Sequence, residues 1–286
     1  MTPWPWRKRE PAPAASEAEI EALIDSIEAA LDANDEAAAE EQVDALAKVA
    51  RTAAHRALLG AYLLTFGRLD AAIAELEPLA DTDLPDDIAP VRDLALAECA
   101  LEIGEPERAQ QLLERLPDDE WRENGKAHWL LGLCHDHRGE PEKADAAFRA
   151  AEEVEPEAFP APIAISPDEA EAIGQHVLAS LPPKIRALIE EVPIVIDDLP
   201  PLATIRETRG GIAHDTLGLY SGVSLVDRGA FDPSGPPPMI QIFRRNLERF
   251  ARDREELEEE IRITLLHELG HHLGLDEDDV DALGLG

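Results

Sequence analysis

The sequence has few of the residues that mark several common classes of protein. It holds two cysteines in 286 residues, too few for a disulfide framework or a cysteine-based zinc site, and this favours a reducing, cytoplasmic location. Only 4% of the residues are aromatic. No stretch approaches the roughly 18 uncharged apolar residues that span a bilayer. Basic residues number 26 against 61 acidic ones, so the formal charge is −35. Such a surface repels phosphates, which disfavours nucleic acids and anionic membranes as partners.

The first 15 residues are predicted to form a disordered tail. They contain Trp4, Trp6 and the basic trio Arg7, Lys8 and Arg9 among several prolines. A signal peptide requires an apolar run after its basic residues, and none follows here, so we expect no such peptide. A weak docking signal in the basic trio is the alternative to a frayed, proline-rich tail.

Residues 16–160 have a helical pattern throughout. Hydrophobic residues, mostly Ala and Leu, make up 44% of the chain, which suits closely packed helices. Ser16, followed three residues later by Glu19, predicts a capping box at the start of the first helix. The segment is also similar to itself at a spacing of about 35 residues. The positions in register are Gly60, Ala97 and Gly132; Gly67, Gly104 and Gly139; Ala72, Ala109 and Ala144; and Leu76, Leu113 and Phe148.

This self-similarity predicts a stack of helix pairs, in which small residues allow close crossing and a glycine ends the first helix of each pair. The best copy, Trp129 to Pro156, resembles the tetratricopeptide repeat, although His135 stands where that family usually has an aromatic residue. About three copies can be placed, with residues 16–50 as a candidate fourth pair. Cys99 and Cys134 occupy equivalent positions in consecutive copies, so we expect them to be packing residues. The resemblance implies a groove that docks a peptide or protein partner.

A second domain is predicted from residue 161 to residue 286. The proline-rich stretch before it reads as a linker, and Ser166 with Glu169 predicts a new capping box. Short apolar runs at 194–196, 217–220 and 239–243 predict strands. A long helical pattern then runs from about Arg254 to Leu273. The predicted fold is therefore an all-α helical repeat domain followed by a small α+β domain.

The last helix contains the pattern H-E-x-x-H. At about 100° per residue, His267 and His271 lie on one face of the helix, one turn apart, so two imidazole nitrogens can share one metal ion. Leu265 and Leu269 lie on a different, apolar face that packs inward. Glu268 lies about 100° from His267, where it can reach a water on the ion and act as the general base.

The residues after His271 complete the predicted site. His272 projects to the packed side, so we expect a buried structural histidine rather than a ligand. Gly274 can end the helix in a left-handed conformation and turn the chain back, which brings Asp276 or Glu277 beside the ion. Two histidines and one carboxylate leave a fourth position for water, whose pKa such an ion lowers towards about 7. This pattern predicts a hydrolytic site.

Several segments of residues 165–286 carry a resemblance to a family of small bacterial zincin-like metallopeptidases, minimal relatives of the metzincins. They are Leu217 to Tyr220, Ile240 to Arg244, Leu247 with Glu248, His267 to Glu277, and Asp281 to Gly284. The resemblance implies Zn2+ on His267 and His271, Glu268 as the catalytic base, and Glu277 as the third ligand in preference to Asp276. Metzincins usually have a histidine at the position of Glu277 and a later methionine turn. Because this chain has no methionine after Met239, the floor of its site must be built differently.

The sequence therefore predicts a zinc-dependent metallopeptidase whose repeats dock the substrate or a partner protein. One alternative is a repeat-based binding scaffold with a structural or catalytically idle zinc domain. Another is a zinc hydrolase that acts on non-peptide bonds. The presence of Glu268 favours an enzyme over an idle domain, but it does not distinguish peptide bonds from other amides or esters.

Overall fold

The computed structural model describes residues 15–208, 211–224 and 237–275, without the side chains of residues 119 and 120. The chain divides into two compact units, residues 1–99 and 100–286. The predicted disordered tail lies outside the described residues, except for Ala15.

The described part of the first unit is built from helices. Ser16 and Glu19 form the predicted capping box at its start. Helix α1 packs against α2, and α3 packs against α4. The elements are α1 (Glu17–Asp32), α2 (Glu36–Val49), α3 (Ala53–Thr65), α4 (Leu69–Leu76), a short 3-10 helix (Glu77–Leu79) and most of α5 (Ala89–Glu102).

The second unit begins with further helices, of which α8 and α9 pack closely together. Gly132 lies directly against the ring of Phe148, since a Cβ placed on this glycine would be 2.5 Å from Cε1. Burial raises the pKa of the Cys134 thiol to about 12, so it stays protonated at neutral pH, as expected of a packing residue. The pairing is consistent with repeats, and the resemblance to tetratricopeptide repeats stays a prediction. These helices are α6 (Pro106–Leu113), α7 (Asp118–Glu123), α8 (Gly125–His137) and α9 (Pro141–Val154).

A three-stranded sheet follows in the described residues, with the strand order β1-β3-β2. Strand β1 (Ile194–Asp197) pairs in parallel with β3 (Met239–Phe243), and β2 (Gly218–Ser221) pairs antiparallel with the other side of β3. All three strands predicted from the sequence are confirmed. Strand β2 lies at one edge of this sheet.

In the described part of the chain, five helices accompany the sheet, and α14 packs against β2, β3, α10 and α13. Its bounds agree with the predicted helical pattern, and Gly274 ends it with a left-handed φ of 81°, also as predicted. Within the described ranges, no helix combines the length and apolar character needed to cross a bilayer. The helices are α10 (Pro167–Ser180), α11 (Pro183–Ile189), α12 (Leu202–Thr208), α13 (Arg244–Phe250) and α14 (Arg254–Leu273).

The core of the second unit lies between the sheet and the helices packed on it. Helix α14 contributes its apolar face, with Leu257, Ile261 and Leu265 almost completely buried. Strand β3 contributes Ile240 and Ile242. Burying one such side chain stabilises the fold by about 1.5–3 kcal/mol, so this core fixes α14 firmly on the sheet.

Helix α13 carries a buried cluster of charges. Arg245 Nη2 donates to Asp136 Oδ1 at 2.8 Å and to Asp145 Oδ1 at 2.7 Å. Its Nη1 donates to Glu248 Oε2 at 2.9 Å. Arg249 Nη1 donates to Asp136 Oδ2 at 2.5 Å. The three acceptor carboxylates offset the cost of burying two guanidinium groups.

These ion pairs join α13 to α8 and α9, which supply Asp136 and Asp145. The contacts therefore cross the boundary predicted near residue 160. That boundary stays a prediction. The division of the chain into two compact units falls between residues 99 and 100.

Replacing Asp136 with Asn is expected to lower the free energy of unfolding by about 3–5 kcal/mol, because two buried arginines lose their shared counter-charge. Urea unfolding followed by tryptophan fluorescence measures this, since the Trp129 ring packs 4.8 Å from Phe148 in the same unit. The control is Arg252→Ala, which removes an ion pair to Glu256 from a side chain that is 85% exposed. It should leave the unfolding midpoint nearly unchanged, and equal effects of the two substitutions would contradict the role given to the cluster.

Candidate metal centre and active site

The two histidines of the H-E-x-x-H pattern meet on one face of α14. His267 Nε2 lies 3.0 Å from His271 Nε2, and the ring centroids are 4.6 Å apart with planes at 84°. Both rings are half-buried. Two ring nitrogens brought this close are stabilised by sharing a proton or a cation. The structure thus brings together the two predicted histidine ligands.

The spacing of the two ring nitrogens suits a zinc ion. Nitrogen ligands about 2.0–2.1 Å from a tetrahedral zinc ion lie roughly 3.3 Å from each other, which is close to the spacing of His267 and His271. Neutral imidazole is a preferred zinc ligand. This part of the donor set therefore fits the ion.

The third ligand predicted from the sequence lies outside the described residues. Both Glu277 and its alternative Asp276 follow Leu275, where the description of the chain ends. Within the described ranges, no group of three His, Cys, Asp or Glu side chains that could hold a metal ion is present. The assignment of Glu277 stays a prediction.

Glu268 lies in a cleft between β2 and α14, which we call the β2–α14 cleft. Its volume is about 630 Å³, and it is lined by Gly218, Leu219 and Tyr220 of β2 and by Glu268 and His271 of α14. The Glu268 side chain is buried, with 7% of the residue exposed. The predicted base and one predicted ligand therefore line the same cleft.

Gly218 brings the edge strand unusually close to Glu268. A Cβ placed on Gly218 would lie 2.9 Å from Glu268 Oε1 and 2.6 Å from Thr264 Cγ2. Real Cβ atoms essentially never approach another heavy atom so closely. The absence of a side chain at Gly218 therefore allows β2 to lie directly over the carboxylate.

His272 is buried, with 1% of the residue exposed, and it contacts the edge strand. Its Nδ1 lies 3.2 Å from the Tyr220 hydroxyl, which donates to the carbonyl oxygen of Val223 at 2.9 Å. This arrangement agrees with the predicted structural role of His272. Its exclusion from the ligand set stays a prediction.

Helix α13 contacts the segment before β2, a role that no pattern in the sequence predicts. Asn246 Nδ2 donates to the carbonyl oxygens of His214 at 3.0 Å and Thr216 at 2.6 Å, and so holds the segment that leads into β2. Phe243 N donates to Leu217 O at 2.8 Å. No local signal reveals these contacts, because the partners lie far apart in the sequence.

Comparison with known proteins gives one family match. Residues 189–286 match the zincin-like metallopeptidase family, which at the level of the family indicates a zinc-dependent peptidase, and hence a hydrolase. No curated protein matches the chain. The match covers the sheet, α13 and α14, whereas residues 161–188 of the predicted domain lie outside it.

Replacing His267 or His271 with Ala is expected to remove zinc, because each variant loses one of two converging nitrogen ligands. His272→Ala should keep about one zinc per chain, since its Nδ1 is directed at Tyr220. Metal analysis after dialysis measures the zinc content of all three variants. Stoichiometric zinc retained with high affinity by His271→Ala would mean that the wrong ligands were assigned.

The same measurement separates the two candidate carboxylates. Glu277→Ala should lose zinc and Asp276→Ala should keep it, because the resemblance to the family favours Glu277. The reverse result would assign Asp276 as the third ligand.

Proposed function

We propose that the chain is a zinc-dependent metallopeptidase that cleaves peptide bonds in the β2–α14 cleft. The observation that carries the proposal is the 3.0 Å approach of His267 Nε2 and His271 Nε2 beside a buried Glu268 that lines the cleft. The zincin-like metallopeptidase match at residues 189–286 supports it.

In this proposal, His267, His271 and Glu277 hold the zinc, which when bound supplies a Lewis acid and lowers the pKa of water. Glu268 takes a proton from the attacking water and delivers it to the amine that leaves. The burial of Glu268 limits the positions its carboxylate can adopt, which keeps the base oriented for both transfers.

The edge strand favours a peptide over a non-peptide substrate. In the described sheet, β2 pairs with β3 on one side, and Gly218, Leu219 and Tyr220 line the cleft. An extended peptide can join such an edge as a further strand, because main-chain groups then pair along its whole length. A small ester or amide lacks this repeating set of donors and acceptors.

Glu268→Gln is expected to lower kcat on an unbiased pool of peptides by at least about 100-fold, because general-base catalysis contributes factors of this size. Zinc content should stay at about one per chain, since Glu268 is not a ligand. Mass spectrometry of the peptide pool and metal analysis give the two values. Equal cleavage by wild type and variant would reject the mechanism, and cleavage of esters alone would favour the non-peptide alternative.

We further propose that the helices before the cleft dock a protein substrate or partner. The paired packing of α1 with α2 and of α3 with α4 in the first unit, and of α8 with α9 in the second, supports helix pairs of the kind from which repeats are built. The charge of −35 favours neutral or basic partner segments. The scarcity of cysteine supports the proposal of a cytoplasmic location.

Deleting residues 1–88 tests the docking proposal without disturbing the α13 cluster, because Asp136 and Asp145 remain. Cleavage of short peptides should be unchanged, whereas kcat/KM for a folded protein substrate should fall, since remote binding energy is lost. Rates on both substrates, measured for the full chain and the shortened chain, decide the matter. A proportionate loss on both would reject docking, and added salt should weaken any preference for basic segments in the full chain.

A further inference from the structure

We infer that Gly218 and the Tyr220–His272 pair are positioning residues of the proposed hydrolase, and that they fix the edge strand at a set distance from the Glu268 carboxylate. This inference rests on the proposed function of the β2–α14 cleft. The proposed hydrolysis itself assigns no step to Gly218, Tyr220 or His272.

The strand and the helix meet at two matched points. Side chains alternate along a strand, so positions 218 and 220 share the face of β2 that meets α14. Glu268 and His272 are four residues apart and therefore share one face of the helix. Two residues of strand span about 6.6 Å, and four residues of helix rise about 6.0 Å. Gly218 can thus contact Glu268 while Tyr220 contacts His272.

The contact between Gly218 and Glu268 depends on the absence of a side chain at Gly218. The φ of Gly218 is not in the left-handed region, so the backbone conformation does not require glycine there. The 2.9 Å and 2.6 Å approaches of a built Cβ to Glu268 Oε1 and Thr264 Cγ2 do require it. Because Glu268 is 7% exposed, its carboxylate has little room to move aside. A methyl group at Gly218 must therefore displace the Thr264 side chain, the carboxylate or the strand.

The contact between Tyr220 and His272 depends on hydrogen bonding. The Tyr220 hydroxyl has one hydrogen and donates it to the Val223 carbonyl oxygen at 2.9 Å. It therefore accepts from Nδ1–H of His272 at 3.2 Å, which assigns the proton to that nitrogen. One hydroxyl thus ties the end of β2 and the following turn to α14, next to His271.

Gly218→Ala in the full, zinc-loaded chain should lower kcat on short peptides by about 100-fold, because a misplacement of about 1 Å has effects of this size. Zinc content should be unchanged. In the Glu268→Asp background, Gly218→Ala should lower kcat by a much smaller factor. The shorter Asp side chain has already moved the carboxylate away from its original position, so the two effects are not additive. Gly211→Ala, a glycine replacement at an exposed position, is the control and should leave kcat unchanged.

Tyr220→Phe keeps the ring and removes the hydroxyl. We expect KM to rise and the amides of residues 218–224 to exchange hydrogen faster, with zinc content unchanged. Tyr62→Phe is the matched control, because it removes a hydroxyl that bonds to Glu28 in the first unit. It should alter neither value. Circular dichroism and urea unfolding identify any variant that fails to fold.

The outcomes separate the inference from the proposed function. Wild-type kcat in a folded Gly218→Ala variant would overturn the role of Gly218. Unchanged amide exchange in Tyr220→Phe would overturn the role of the Tyr220–His272 pair, and exchange can be read even without activity. Zinc-loaded wild type that cleaves no peptide would instead reject the proposed function. If Gly218→Ala does not fold, the exchange result for Tyr220→Phe decides the inference.

Discussion

The buried carboxylate of Glu248 is the group on which the arrangement of the second unit depends. It is completely buried, and it accepts hydrogen bonds from Ile165 N at 2.9 Å and Arg245 Nη1 at 2.9 Å, as well as from Arg244. A buried carboxylate without such partners costs several kcal/mol. Because Arg245 also binds Asp136 and Arg244 also binds Asp198, satisfying Glu248 fixes α13 against elements on both sides.

Helix α13 fixes the position of the cleft through two connections. One connection is covalent, since only residues 251–253 separate α13 from α14. The other runs through Asn246, which holds the carbonyl groups that precede β2. Helix α13, which has seven residues, thus holds both the helix that bears His267 and the strand that bears Gly218. Contacts outside the cleft hold both elements in place, in addition to the contacts of Gly218 and Tyr220 within it.

The features predicted from the sequence are those with local signals. The strands, the bounds of α14, the capping boxes and the left-handed Gly274 each depend on residues close together in the chain, where periodicity and turn chemistry act. The α13 cluster has no such signal, because Arg244, Arg245 and Arg249 look like a solvated face. Arg245 and Asp136 are 109 residues apart. Tertiary packing, rather than local preference, buries these charges.

The cleft illustrates the same division between local and distant information. The H-E-x-x-H pattern predicts His267, Glu268 and His271 as site residues, since one helix turn fixes their mutual directions. The pattern does not predict a role for Gly218, because the sequence of a helix carries no information about which strand packs against that helix. Tyr220 and His272 are likewise joined across 52 residues. A candidate site can therefore be located from one segment, whereas the groups that set its distances come from another.

The contact between Gly218 and Glu268 also bears on the alternative of a catalytically idle zinc domain. An intact base on α14 is necessary for hydrolysis but not sufficient, because the base must also face a bound substrate at the correct distance. A larger residue at position 218 would separate the strand from Glu268 while leaving His267, Glu268 and His271 unchanged. A domain altered in that way could keep its zinc and lose its activity. Here the strand proposed to hold a peptide and the helix that carries the proposed base meet at a glycine, with no side chain between them. This favours the proposed enzyme over an idle domain more strongly than the presence of Glu268 alone.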